Sequence, residues 1–272
     1  MGQQKTKALY KKTFNTVADG YDNPAMRFFP ESAKRISSYL HLNGSEHVLD
    51  VATGTGCAAL TLTESLPNGQ VTGIDFSTGM LAQAMEKQEL AELDNIFFFE
   101  MDMQAIDFPA QHFDAAVSAF SIFFVEDMQK QLSHVADKVK EGGQVITTTF
   151  YDNAFTPLVG LFLQRLKQYG IEPPSLAWKR VATEEQCLSL FCEAGLHDVQ
   201  SHRVECGYHL HDASEWWYII WNGGFRGLVN QLEPDELDRF QEEHSAEVQA
   251  LASDKGIWLE MSVLYTVGTR IA

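Results

Sequence analysis

The sequence predicts an α/β protein built on a mostly parallel sheet, and three observations carry that prediction. Short apolar runs at 48–51, 70–75, 96–100, 113–118 and 144–150 alternate with stretches of helical periodicity, as parallel βαβ units do. The first run ends on Asp50-Val51 and passes at once into a small-residue turn, Ala52-Thr53-Gly54-Thr55-Gly56, and a helix start at Cys57-Ala58-Ala59-Leu60. Strand, turn and helix in that order aim backbone N–H groups at a ligand, and glycine lets the backbone come close to it. At 272 residues, 45% hydrophobic and 21% charged, the chain is long enough for one large core.

The elements follow in order. Tyr10, Phe14 and Val17 share a helical face, and 19–24 breaks it as a turn. Two readings stand for this segment: a helix packed on the side of the domain, or a flap over a ligand with Tyr21 at its tail. A second helix is expected over 31–42, closed by Asn43-Gly44. Ser77 caps a helix over 78–92, and another runs from about 127 to 140. After Tyr151 the rhythm changes: a helix over 157–169, a Pro173-Pro174 loop, a capped helix from Thr183 to Gly195, and an alternating strand over 197–208. Residues 209–258 form a helical insert holding Trp216, Trp217, Tyr218, Trp221 and Phe225, with Trp258 closing it and a last strand over 260–271. The division expected is an N-terminal helical flap (1–45), a cofactor-binding core (46–208, with 151–182 on its substrate side), the aromatic insert (209–258), and a final strand (259–272).

Charge and cysteines exclude several function classes. A net charge of −17 repels nucleic-acid backbones and anionic lipid, so neither partner is expected. No apolar run is long enough to span a bilayer, and Met1 to Lys12 carries no secretory signal, which predicts a cytoplasmic location. Cys57, Cys187, Cys192 and Cys206 contain no C-x-x-C pair, so no metal is expected and the thiols read as reduced packing residues.

Four features sharpen the glycine turn. Asp50 near the end of the first strand suits a ligand with a charged amino group. Asp75 ends the second strand, where a carboxylate can accept two ribose hydroxyls. Asp102-Met103 follows the third, placed to meet an exocyclic adenine amine, with Phe76 and Met80 able to cover the ring or to serve as plain core. Gly142-Gly143 precedes the fifth. Together they resemble the class I S-adenosylmethionine-dependent methyltransferases, and among these the ubiquinone/menaquinone-biosynthesis methyltransferase-like group. That group's first motif also reads Val-Leu-Asp-Val-Ala-x-Gly-Thr-Gly, and Phe14 to Asp22 is similar to its entry segment. The resemblance covers 10–150 well and 183–208 loosely, and leaves out the insert. It implies a Rossmann-like seven-stranded sheet with helices on both faces, the last strand antiparallel and a helical insert before it. It also implies S-adenosyl-L-methionine held by Tyr21, Asp50, Ala52, Thr53, Gly54, Gly56, Asp75, Phe76, Met80, Asp102, Met103, Ser118 and Phe120.

The reaction implied is in-line methyl transfer to an O, N, C or S atom of a small apolar or aromatic metabolite, in a monomer or homodimer. Alignment of nucleophile and methyl supplies much of such catalysis, and a base is needed only if the acceptor must lose a proton. His209 and His211 are the candidate bases, with His202, Glu126 and Tyr151 behind them, and surface histidines are an equal reading. Phe123, Tyr151, Trp217 and Trp221 are the candidate acceptor contacts, with core packing the alternative for the tryptophans. The strand-four exit, Ser118 to Phe124, lacks the Asn/Asp-Pro-Pro-aromatic signature of base and amide methyltransferases. Two rival functions remain at this stage: an NAD(P)-dependent oxidoreductase, and a non-catalytic cofactor-binding module acting through a protein partner.

Overall fold

Nine strands and ten helices position the site in a computed structural model that describes residues 2–271. The strands are β1 (His47–Val51), β2 (Gln70–Asp75), β3 (Ile96–Glu100), β4 (Phe113–Ala119), β5 (Val139–Phe150), β6 (Leu196–Glu205), β7 (Tyr208–Leu210), β8 (Ile257–Leu259) and β9 (Ser262–Arg270). Seven of them form one sheet, the number expected, in the order β3-β2-β1-β4-β5-β9-β6. The first five pair in parallel, and β9 lies antiparallel between β5 and β6. Val48, Leu49, Val71, Ile74 and Val117 are fully buried, because helices cover both faces of this part of the sheet. Chain order runs outward from β1 through β2 to β3, then jumps back to β4 on β1's other side. That reversal opens a crevice at the carboxyl ends of β1 and β4, where ligands bind in open α/β sheets.

The helices are α1 (Gly2–Val17), α2 (Phe28–Ile36), α3 (Cys57–Thr63), α4 (Thr78–Leu90), α5 (Met128–Lys138), α6 (Leu158–Gln168), α7 (Glu184–Glu193), α8 (Ala213–Asn222), α9 (Arg226–Val229) and α10 (Pro234–Gln249). The second helix starts earlier than its pattern predicts and stops at Ile36, followed by a 3-10 turn over Ser37–Tyr39. Pro30 falls in its first turn, where a missing N–H costs nothing. Ser77 caps α4, and Thr183 with Gln186 forms a capping box on α7.

The insert differs from the expectation in two ways. Its base is a two-stranded ribbon in which His209 pairs with Trp258, so the boundary at 208/209 cuts β7 and Trp258 sits in mid-strand. Trp216, Trp217 and Phe225 pack inward, while Tyr218 and Trp258 are exposed. Trp216 is buried and donates its indole N–H to His244 Nε2 at 2.9 Å. Phe225 meets Phe155, Phe162 and Trp178 edge-on. Arg165 of α6 pairs with Glu243 and Glu247 of α10. Insert and sheet therefore share one continuous apolar core. No described helix is long and apolar enough to cross a membrane.

Candidate functional site

A cavity of about 580 Å³ opens at the carboxyl ends of β1, β2 and β4. Its floor is the turn after β1. Its roof is α1, through Thr6, Lys7, Tyr10 and Phe14, together with Tyr21 and Phe29.

The floor is built by backbone conformations that most residues avoid. Ala52, Gly54 and Gly56 all have left-handed φ angles, of 56°, 57° and 79°. Two of the three are glycine, the residue that adopts this region without strain. A Cβ on Gly54 would meet no atom within 4 Å, so its face of the turn is left open. Phe120, at the exit of β4, is also left-handed at 51°. Ala52 and Phe120 thus flank the strand-order reversal with two non-glycine residues held in a strained region, a feature that concentrates at functional sites.

Asp50 lies beneath this turn and is 1% exposed. The Thr53 hydroxyl donates to its Oδ2 at 2.6 Å, while Oδ1 is buried without a partner. Burial pushes its carboxyl up to about 7, against the pull of the Thr53 hydroxyl and, more weakly, of the Ala59 backbone N–H. A buried carboxylate oxygen with nothing to accept is costly, and a ligand cation would relieve that cost. Asp75, at the tip of β2, accepts N–H bonds from Gly54 at 2.9 Å and Ser77 at 2.8 Å. Burial raises its pKa too, and those N–H groups oppose the rise. Each of its oxygens keeps a second acceptor direction for a ligand hydroxyl. Asp102, beyond β3, accepts from Gln104 N–H at 3.0 Å and is ion-paired with Lys7 of α1. The three carboxylates therefore stand at the tips of three adjacent strands and face one cavity.

Other residues singled out from the sequence divide into three groups. Tyr21, Ala52, Thr53, Gly54, Phe76, Met80, Met103, Phe120 and Phe123 line the cavity with the three acids. Gly56 and Ser118 stand behind its wall. Gly56 sits tightly against Ala84 and Phe98, where a Cβ would come within 3.1 Å of each, and Ser118 is hydrogen-bonded to Ser121 at 2.6 Å. The rest lie outside the lining, which corrects the expectation for them. The His209 ring packs on Trp258, and the His211 ring is exposed beside Asp212. His202 stacks on Tyr39, and Arg203 covers the ring of Tyr151. Trp217 stacks on Trp221, which Arg226 covers in turn. Alternation showed that His209 and His211 could share a face; pairing with β8, invisible in the sequence, decided where β7 points. Glu126 does line the cavity, at its exposed rim.

Sequence reasoning missed several lining residues. Lys7 and Tyr10 reach the cavity because Asn15 of α1 accepts the Gly79 N–H at 2.9 Å and the Ser77 hydroxyl at 2.9 Å, docking α1 on the start of α4. Asp22 accepts the Thr55 hydroxyl at 2.7 Å and pairs with Lys87, tying the turn at 19–24 to the floor. Arg180, in a 3-10 turn over Ala177–Val181, borders the far side. No local pattern marks it.

A methyltransferase-domain family matches residues 48–143, the span that holds β1 to β4 and all three acids. Among curated proteins, the chain is 29% identical over 164 residues to aklanonic acid methyltransferase DauC of Streptomyces sp. (strain C5), covering 55% of this chain and 74% of that one. It is 28% identical over 210 residues to the ubiquinone/menaquinone biosynthesis C-methyltransferase UbiE of Geobacter sulfurreducens, covering 70% and 81%. Among solved structures, the YcgJ protein from Bacillus superposes with a TM-score of 0.60 at 17% identity, over 89% of this chain and 99% of that one, a likeness of fold.

Proposed function

The chain belongs to the class I S-adenosylmethionine-dependent methyltransferases of the UbiE-like group, and from that premise we propose that it methylates a small apolar or aromatic metabolite by in-line displacement. The single observation that carries the cofactor placement is the partnerless, buried Oδ1 of Asp50 under the glycine turn. An α-ammonium group is the partner that such an oxygen lacks, and a charge-assisted bond in a water-poor site is a strong one. Asp75 then takes the two ribose hydroxyls. Asp102 takes the adenine amine once Lys7 yields it, and Phe76, Met80 and Met103 cover the adenine faces. Tyr21 and Phe120 border the methionine side.

The cofactor supplies a methyl group already activated on a sulfonium. The chain's own work is to hold, align and keep dry. Tyr10, Phe14, Phe123 and Phe124 form an aromatic wall for the acceptor, with Phe14 and Tyr10 meeting Phe124 edge-on at 5.5 and 5.1 Å. Wall and α1 together exclude water from the space between acceptor and methyl.

Thermal shift with S-adenosylhomocysteine and with NAD tests the cofactor half, since a ligand that binds only the folded state raises the melting temperature. A rise with the first and none with the second is expected; the reverse overturns the assignment. Labelled S-adenosylmethionine and a panel of small phenols, acids, amines and thiols test the acceptor half.

A further inference from the structure

The part of the cavity not needed for the cofactor says which acceptors the site can use, an inference that rests on the methyltransferase reading. The titratable groups in the described lining are few. Asp50, Asp75 and Asp102 sit at the cofactor end, and Lys7 and Asp22 are already ion-paired. Cys57 is pushed up to about 12 by burial, and burial also raises Tyr10 and Tyr21. No histidine lines the cavity among the described residues. Glu126 lines the rim and is exposed to solvent. Among the described residues, the acceptor end therefore holds no histidine and no carboxylate sheltered from solvent that could take a proton from an alcohol, a phenol or an ammonium ion.

That end offers a cation instead. Arg180 donates to the backbone carbonyls of Val125 at 2.8 Å and Glu126 at 2.5 Å, and forms no ion pair with a carboxylate among the described residues. A guanidinium has five N–H donors, so donors remain for a ligand. Arg180 stands past the β4 exit, while the three acids stand at the tips of β1, β2 and β3. The three acids thus stand on one side of the strand-order reversal, with Lys7 paired to Asp102, and Arg180 stands on the other, next to Glu126 at the rim. In a chain of net charge −17, a cation without a carboxylate partner at the rim of an aromatic pocket is a place where an organic anion meets attraction.

We propose that the acceptor is an organic acid already ionised at neutral pH, its oxyanion held by Arg180 and its aromatic or apolar frame laid against Tyr10, Phe14, Phe123 and Phe124. The ionised oxygen is itself the nucleophile. It forms the new C–O bond as the methyl carbon leaves sulfur; the C–S electron pair stays on sulfur, and no proton is transferred. The product is a neutral ester, which Arg180 no longer attracts, so the reaction removes the charge that held the substrate.

The test uses the full chain saturated with S-adenosylhomocysteine and two probes of one shape, 2-naphthoate and its neutral amide, titrated by calorimetry at pH 7.5. The naphthoate should bind at least about tenfold more tightly than the amide, the difference that one charge-assisted contact makes. Arg180→Gln should abolish that preference and leave S-adenosylhomocysteine affinity unchanged, while Arg180→Lys should retain part of it. Equal binding of the two probes, binding of neither, or a preference that survives Arg180→Gln overturns the proposal. With labelled S-adenosylmethionine held saturating at every pH, ester formation should be level between pH 6.5 and 8.5; a rate rising tenfold per pH unit would mean that a proton must first be removed. If S-adenosylhomocysteine itself does not bind, the methyltransferase reading falls first, so the two failures are distinguishable.

Discussion

Asp50 ties the chemistry of the site to its stability. Its carboxyl ionises near 3.8 in an exposed chain and at about 7 here, because burial disfavours the charge. A carboxyl whose folded pKa is raised costs the folded state stability as pH climbs from the lower value to the higher, and the cost is complete above it. The ligand-free protein should therefore melt at a higher temperature as Asp50→Asn than as wild type at pH 8, with the difference closing toward pH 4. The same variant should bind S-adenosylhomocysteine at least about tenfold more weakly, the loss of one charged hydrogen bond. Wild-type affinity should rise from pH 6 to pH 7.5 as Asp50 ionises. Calorimetry across that range would refute the ammonium placement if affinity were level. Asp75→Asn keeps acceptors for the Gly54 and Ser77 N–H bonds only in part, so it should weaken the cofactor and loosen the floor together. These acids were legible in the sequence because each follows a short apolar run, and strand tips in a parallel sheet share one edge. Arg180 was not legible. Its partners Val125 and Glu126 lie more than fifty positions away, and no periodicity links a lone arginine in a proline-containing loop to a cavity.

Among elements, α1 is the roof with the weakest fastening at its tip. Asn15 anchors its end on α4, whereas Lys7 and Lys11 reach Asp102 and Glu100 through half-exposed ion pairs. Pairs of that kind contribute about 0.2–1 kcal/mol and weaken in salt. Lys7 occupies the carboxylate assigned to the adenine amine, so ligand and helix compete for it. Lys7→Met should strengthen S-adenosylhomocysteine binding by about two- to fivefold at low salt, the range such a pair spans. It should also flatten the salt dependence; weaker binding would mean that Lys7 helps hold the ligand. The sequence showed the apolar face of this helix but left flap and side-packed helix open, because the polar contacts that dock it involve residues far along the chain. A second element-level prediction concerns α10. His244 is fully buried, accepts from Trp216, and is pushed down to about 4 by burial, with Glu247 opposing. Its neutral form contributes stability that is present above pH 6.5 and lost as pH falls through that value toward 4. The melting temperature of His244→Gln should therefore decline less steeply than wild type between pH 6.5 and 4.5, from a lower starting value.

At the scale of the molecule, the remaining question is whether the insert is a lid, a separate unit, or part of the core. Its aromatic residues left acceptor contact and core packing both open, because composition cannot tell an apolar face turned to a ligand from one turned to a neighbouring helix. Here the neighbours are α6, α10 and Phe155, and the shared core runs without a break from Trp216 to the sheet. The strand β9 adds a topological reason. It lies between β5 and β6, and its chain arrives directly from β8, so the sheet is completed only by a strand that the insert delivers. A chain built this way should unfold as one unit. The five tryptophans, at 178, 216, 217, 221 and 258, all lie in the insert or against it, so their fluorescence reports that half, while far-ultraviolet circular dichroism reports every helix and strand. In urea the two signals should trace one transition with one midpoint. Trp217→Ala should lower both midpoints together, by about 3–5 kcal/mol of stability for a buried tryptophan, and leave S-adenosylhomocysteine affinity unchanged because Trp217 lies outside the cavity lining. Fluorescence falling at lower urea than dichroism would mark the insert as a unit of its own. A loss of cofactor affinity matching the loss of stability would return the tryptophan to the site.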